Sequence, residues 1–406
     1  MDDLLLRNVR PLGEPAVDVL VRGGAIAAIG RDLGADPAVP VEEGGGALLL
    51  PGLVESHAHL DKTLWGLPWY VNEVGPRLQD RIDNERRFRA ESGHDAGAQS
   101  LALARAYLAQ GTTRVRTHVD VDTDAGLRHL HGVLATREAL RGVMELQVVA
   151  FPQSGLLRRP GTAELLDEAL RLGADVLGGL DPQEVDGDRA ASLDRLAGLA
   201  QRHGKPLDMH LHEGGEEGAA TLDALLDRVA GLGLAGRVAI SHCFCLGDVD
   251  AVRRGQLLER MARLEVAVIT TGTASRPVPP LLACREAGVQ VAGGNDGIRD
   301  TWTPYGRPDM LERAMLIGLR NNLRRDDELA LALETVTSAG ARVCGFAGYG
   351  LAPGCRADFV LVDAANVQEA VVSRPTRELV VSRGRIVARK GALNSSATIA
   401  GSTTGA

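Results

Sequence analysis

An α/β fold is expected from this sequence: a (β/α)8 barrel of the TIM type, joined to a small β-sandwich built from both chain ends. Eight short apolar runs in the middle of the chain alternate with longer stretches of helical spacing. They extend over residues 48–294, close to the roughly 250 residues that such a barrel typically needs. The two ends carry a different pattern, of short strands and tight turns.

The runs occupy residues 48–54, 114–119, 146–151, 174–179, 206–212, 237–242, 266–271 and 289–294. Between them, apolar residues recur at i, i+3, i+4, as in Ala104, Tyr107, Leu108 and in Leu165, Leu166, Ala169, Leu170. Gly111, Gly173-Ala174-Asp175, His203-Gly204-Lys205 and Ala287-Gly288 punctuate them as turns. Strands alternating with helices imply parallel pairing through right-handed crossovers. An open doubly wound sheet would usually have fewer strands and a Gly-rich phosphate turn after the first, and that turn is absent. At the ends, residues 2–9, 18–30, 357–362 and 379–390 read as strands joined by turns such as Arg22-Gly23-Gly24 and Arg383-Gly384-Arg385. Each set alone is too small to bury a core, so the two are expected to pair. The expected partition is 1–49 with 352–394 as the sandwich, 50–351 as the barrel, and 395–406 as a disordered Ser/Thr/Gly/Ala tail.

The bulk composition excludes several classes. The 406 residues are 45% hydrophobic and 24% charged, the balance of an ordinary globule. A net charge of -8 spreads without blocks, so no nucleic-acid surface is expected. Apolar runs such as 47–50 and 266–269 are far too short to span a membrane. The N-terminus begins acidic where a secretion signal would begin basic. Five cysteines, scattered except for Cys243 and Cys245, argue against disulfides and for a cytoplasmic setting. Aromatics at 3% are too few for a surface of aromatic anchors.

In such a barrel, chemistry sits at the C-terminal ends of the strands. The first run ends Val54-Glu55-Ser56-His57-Ala58-His59, and residues at i and i+2 on a strand share a face, so both imidazoles can reach one ion. The fifth ends Asp208-Met209-His210-Leu211-His212-Glu213, the sixth Ile240-Ser241-His242, the eighth Gly293-Gly294-Asn295-Asp296-Gly297 and the third Phe151-Pro152-Gln153. A lone strand-end histidine is more often structural than catalytic. Here five of the 10 histidines converge on strand ends, whereas His129 and His131 lie in a helical stretch. Imidazole with carboxylate suits a borderline divalent cation, zinc or iron(II). Cys243 and Cys245 are read as packing residues rather than thiolate ligands.

Longer stretches carry a resemblance. Pro51-Gly52-Leu53-Val54-Glu55-Ser56-His57-Ala58-His59-Leu60-Asp61-Lys62 resembles the first-strand signature of the amidohydrolase superfamily. Val115-Arg116-Thr117-His118-Val119-Asp120-Val121, Gln147-Val148-Val149-Ala150-Phe151-Pro152-Gln153, the segments 168–176 and 351–362, and Asp300-Thr301-Trp302-Thr303-Pro304-Tyr305-Gly306 are similar to its cytosine-deaminase-like branch, which also contains N-isopropylammelide hydrolase. The resemblance implies a distorted (β/α)8 barrel plus β-sandwich. It implies one divalent metal ion, Zn2+ or Fe2+, on His57, His59, His210 and Asp296, with Asp296 also taking the proton of the attacking water. It makes His242 a hydrogen-bond partner of the attacking oxygen, Glu213 a proton shuttle, Gln153 a reader of substrate amide edges and Trp302 a pocket wall. No lysine ends the fourth run, Leu177-Gly178-Gly179-Leu180, so no carbamate bridge between two metals is expected.

Lys62 and His212 match the N-isopropylammelide hydrolase side of the branch, where they help to activate substrate. Gly297 stands where the deaminase has a second aspartate, which should open space for a bulkier ring. His212 and Glu213, as strand neighbours, should point to opposite faces unless the strand ends there. The activity expected is removal of ammonia or an amine from a small nitrogen heterocycle, a pyrimidine, triazine or related cyclic amidine, by a homo-oligomeric enzyme without membrane or nucleic-acid partners. Opening of a cyclic amide and a catalytically idle binding relative are the alternatives.

Overall fold

The computed structural model describes residues 2–75 and 77–394; the expected tail at 395–406 lies outside them. The chain begins with five strands of a terminal sheet: β1 (Leu4–Pro11), β2 (Val17–Arg22), β3 (Ala25–Gly30), β4 (Val41–Glu43) and β5 (Leu48–Pro51). The barrel follows, with β6 (Leu53–Ala58), β7 (Thr112–Asp120), β8 (Glu145–Phe151), β9 (Val176–Leu180), β10 (Leu207–Leu211), β11 (Val238–His242), β12 (Ala267–Thr270) and β13 (Val291–Gly293). The chain then returns to the terminal sheet as β14 (Phe359–Val362), β15 (Arg377–Ser382), β16 (Arg385–Arg389) and β17 (Ala392–Leu393).

Strands β6 to β13 pair in sequence order, each parallel to the next. Helices cross between them, several begun by an aspartate whose side chain accepts from backbone N–H groups of the first turn. Asp95, Asp188, Asp250 and Asp309 do this for Ala96–Ala109, Arg189–His203, Ala251–Arg263 and Met310–Arg320. The ring closes loosely between its first and last strands, where the Asp296 N–H donates to the His57 carbonyl at 2.7 Å. Gly294 permits the approach, since a Cβ there would lie 2.4 Å from the His57 Cβ. Glu55 locks it from beneath. Its buried carboxylate accepts from the His57 N–H at 2.9 Å, the Asn295 side chain at 2.8 Å and the Tyr107 hydroxyl at 2.7 Å.

The run at 48–54 is a correction to the expected strands. It is two strands, not one: Leu48–Pro51 pairs with β1 and β14 in the terminal sheet, and Leu53–Ala58 opens the barrel. Both are buried on both faces, so the run shows no alternation that would reveal the break. The nine-stranded terminal sheet folds on itself as expected from pairing of the chain ends. Leu49, Phe359, Leu361, Leu379 and Val381 pack with Leu4, Val19 and Ile26 in its own core. Alternate residues of the same strands, Leu48, Leu50, Val360, Val362 and Val380, join the core of the barrel. Period-two alternation therefore fastens the sandwich to the barrel.

Candidate active site

The mouth of the barrel gathers side chains from five strand ends. His57 and His59 come from β6, His118 from β7, His210 and His212 from β10, His242 from β11 and Asp296 from just beyond β13. The His57 ring centroid lies 4.2 Å from that of His118, 4.6 Å from His210 and 5.0 Å from His242. His59 Nε2 lies 3.4 Å from His210 Nε2 and 3.3 Å from Asp296 Oδ1, and Asp296 Oδ2 lies 3.8 Å from His242 Nε2. Two overlapping donor groups result: His57, His59, His118 and His210, and His57, His242 and Asp296. His57 belongs to both. His242 and Asp296 also share left-handed backbones, with φ of 69° and 67°, a conformation that costs roughly 1 kcal/mol or more for such residues.

The protonation of His57 follows from its neighbours. The Ser241 hydroxyl gives its one proton to Asp208 at 2.7 Å, so at 2.8 Å it accepts from His57 Nδ1. In the neutral ring this leaves the lone pair on Nε2, which faces Asp296 Oδ1 at 3.6 Å and has no hydrogen-bond partner. A lone pair facing a carboxylate oxygen is repulsive unless a cation lies between them. Burial disfavours the charged form of the neighbouring rings. It pushes His118 down to about 3 and, together with the Lys62 charge, His59 down to about 4; His210 and His242 fall well below the usual histidine value. Tetrahedral ligands about 2.1 Å from a zinc ion sit about 3.4 Å from one another, and the spacings around His59 match. The donor set present fits a divalent cation.

Lys62 anchors the opposite side. It sits in a short helical turn, Leu60–Lys62, directly after β6. Its Nζ donates to Gln153 Oε1 at 2.5 Å, lies 3.5 Å from both Asp120 and Glu85, and stands 5.5 Å from the centre of the Trp302 ring. Burial works against its charge, but Asp120 and Glu85 outweigh it and raise its pKa. An ammonium has no acceptor, so Gln153 must present its oxygen to Lys62. Gln153 therefore commits one oxygen lone pair to Lys62 and keeps its amide N–H groups free to donate.

His212 and Glu213 part company as the strand ends at Leu211. The His212 ring stacks on His242 at 4.3 Å, with Nδ1 2.6 Å from Asp181, and its side chain stays 29% exposed. Glu213 is 3% exposed. Its carboxylate accepts from the N–H groups of Gln183 at 2.8 Å and Glu184 at 3.1 Å, and from the Thr221 hydroxyl. Gly297 overturns an expectation. The space beside it is filled, because a Cβ there would meet the Asp300 carboxylate at 1.9 Å.

Three further residues line the site. His118 sits inside a motif that carries the resemblance, and the signal that marks it is the alternation of Arg114, Arg116, His118 and Asp120 along β7 toward one face. Asp181 and Asp300 act through loops whose return path no periodicity shows.

A model of the amidohydrolase family matches residues 44–388. The chain is 30% identical over 349 residues to N-isopropylammelide isopropyl amidohydrolase of Pseudomonas sp. (strain ADP), covering 85% of this chain and 87% of that protein. It is 63% identical to N-isopropylammelide isopropylaminohydrolase from Burkholderia multivorans, whose crystal structure superposes with a TM-score of 0.95 over 97% of this chain and 100% of that one. The 5-methylcytosine deaminase of Klebsiella pneumoniae, solved with 5-fluorocytosine, is 28% identical, with a TM-score of 0.84 over 94% of this chain and 97% of that chain. With the motif, the barrel and the strand-end donors in agreement, the chain belongs to the amidohydrolase family.

Proposed function

We propose that this protein is a metal-dependent hydrolase that removes ammonia or a substituted amine from a small nitrogen heterocycle, of the pyrimidine or triazine kind. The observation that carries the reading is the convergence of unprotonated ring nitrogens on the Asp296 carboxylate. His57, His59, His210 and Asp296 would hold one Zn2+ or Fe2+. Such a cation, when bound, acidifies a coordinated water toward neutral pH and polarises the bond under attack.

The chain's own residues do the rest. Asp296 keeps 39% of its side chain exposed and turns Oδ2 toward His242, so it can take the proton of the attacking water. His242 lies beside it to hydrogen-bond the incoming oxygen. His212, open to the cavity and charged more readily because Asp181 outweighs its burial, delivers a proton to the departing nitrogen. Glu213 is the alternative shuttle, its pKa raised by burial, although its oxygens already serve the 183–184 loop. Gln153, steadied by Lys62, donates to a carbonyl or ring nitrogen of the substrate, and Trp302 forms a wall beside it. Relatives named for N-isopropylammelide and 5-methylcytosine support this substrate class. A homo-oligomer in the cytoplasm completes the proposal; among the described residues no helix is long and apolar enough to cross a membrane.

Incubating zinc- or iron-loaded protein with N-isopropylammelide, cytosine and related amino-heterocycles tests this. Release of isopropylamine or ammonia with the ring intact is the expected result. No release at full metal occupancy contradicts it, and a ring-opened product favours cyclic-amide hydrolysis instead.

A further inference from the structure

The sequence places glycine beside Asp296, where a second carboxylate would extend into the cavity. The structure delivers a carboxylate to that place from three residues further along. An ideal Cβ at Gly297 would lie 1.9 Å from Asp300 Oδ2 and 2.9 Å from its Cγ. The chain can bring Asp300 back because Arg299 adopts a φ of 47° and the Asp300 N–H closes on the Thr303 carbonyl at 3.0 Å.

The two carboxylate oxygens have different employment. Oδ1 accepts from the Trp302 and Thr303 N–H groups, both at 2.8 Å, and so shapes the turn. Among the described residues Oδ2 accepts no hydrogen bond, although Asp300 is only 4% exposed. Oδ2 is not among the fully buried orphaned atoms, so it is an acceptor that the fold leaves open to a donor from outside the chain. Its charge also reaches Lys62, the residue that orients Gln153. Burial pushes the Asp300 pKa up to about 7 against the pull of Lys62, as expected for a carboxyl whose charge is incompletely met.

We infer that Asp300 Oδ2 is the acceptor for a ring N–H of the substrate, standing in for the side chain that Gly297 lacks. With the Gln153 oxygen engaged by Lys62 and its amide N–H groups left to donate, Asp300 supplies the matching acceptor near Lys62. The substrate class that complements this pair is a heterocycle with a carbonyl adjacent to a ring N–H, an amide or ureide edge, rather than a fully aromatic aminoheterocycle. Asp300 is thus a residue that determines specificity, and Gly297 is the gap that admits its carboxylate. The inference rests on the hydrolase reading above.

The experiment compares N-isopropylammelide and cytosine, each with its ring-N-methylated counterpart, in steady-state kinetics on metal-loaded protein. The wild type should prefer the N–H forms. Asp300→Asn keeps an oxygen for the Trp302 and Thr303 N–H groups, and should cut kcat/KM for the N–H forms by about tenfold or more while leaving the N-methyl forms nearly unchanged. Gly297→Ala leaves the carboxyl group intact but displaces it, and should erode the same preference; it carries the test if Asp300→Asn fails to fold. An equal fall for both substrate forms would mark Asp300 as merely structural and overturn the inference, as would a wild type that turns over without preferring N–H. A wild type that releases no amine from any of these compounds overturns the hydrolase reading, and the inference with it.

Discussion

The two sides of the barrel mouth are equally buried and electrostatically opposite. On one side burial disfavours the charged forms of His59, His118, His210 and His242, and Nε2 of His59 lies 3.4 Å from that of His210. On the other, Lys62 and Arg89 remain charged among Asp61, Glu85, Asp120 and Asp122. The difference lies in what burial can undo. An imidazole gives up its proton cheaply because its ordinary pKa is near 6.5, whereas Lys62 and Arg89 are held charged by carboxylates within 4 Å. One side offers lone pairs to a cation. The other supplies fixed charge that orients Gln153.

Asp296→Asn should produce the largest change in activity. It removes the proposed proton acceptor on the neutral side and should lower kcat by about a thousandfold, within the usual range for a lost general base, with an unchanged melting temperature. Retained turnover would remove Asp296 from that role. Lys62→Met strikes the charged side and should cost about 3–5 kcal/mol of stability in denaturant titration, because it leaves buried carboxylates without their cation. A loss of less than about 1 kcal/mol would show that water already screens the network. Ser241→Ala removes the group that holds the His57 tautomer. It should weaken metal binding about 10–100-fold in a chelator competition, and unchanged affinity would contradict the tautomer assignment.

The smallest effect concerns a histidine on the charged side. His129 Nδ1 lies 2.8 Å from Asp61, and that carboxylate outweighs burial and raises the His129 pKa. Because the folded value is the higher one, the stabilisation is complete below the unfolded pKa of about 6.5 and is lost as pH rises through the raised value. His129→Gln should flatten the pH dependence of stability in that window. A His129 that titrates in NMR below the usual histidine value would erase the contrast between the two sides.

The parts of this architecture that repeat were legible in the sequence. Alternating runs revealed the barrel, and the Val54–His59 and Asp208–Glu213 stretches showed which strand ends carry donors. The break at Gly52 was hidden because Leu48–Pro51 and Leu53–Ala58 are both buried on two faces. His118 is legible in the alternation along β7, although the longer motif around it masks that signal. The Lys62–Gln153 pair, the Asp181–His212 pair and the Asp300 carboxylate beside Gly297 join loops 31 to 91 residues apart or turn on a local left-handed bend. Such contacts come from tertiary folding, and no spacing rule anticipates them.

Anomalous diffraction from crystals of the metal-loaded protein, at the zinc or iron edge, tests the metal assignment itself. One peak is expected, about 2.1 Å from Nε2 of His57, His59 and His210 and from Oδ1 of Asp296. No peak there, two peaks, or a single ion bound by His118 in place of Asp296 would contradict it.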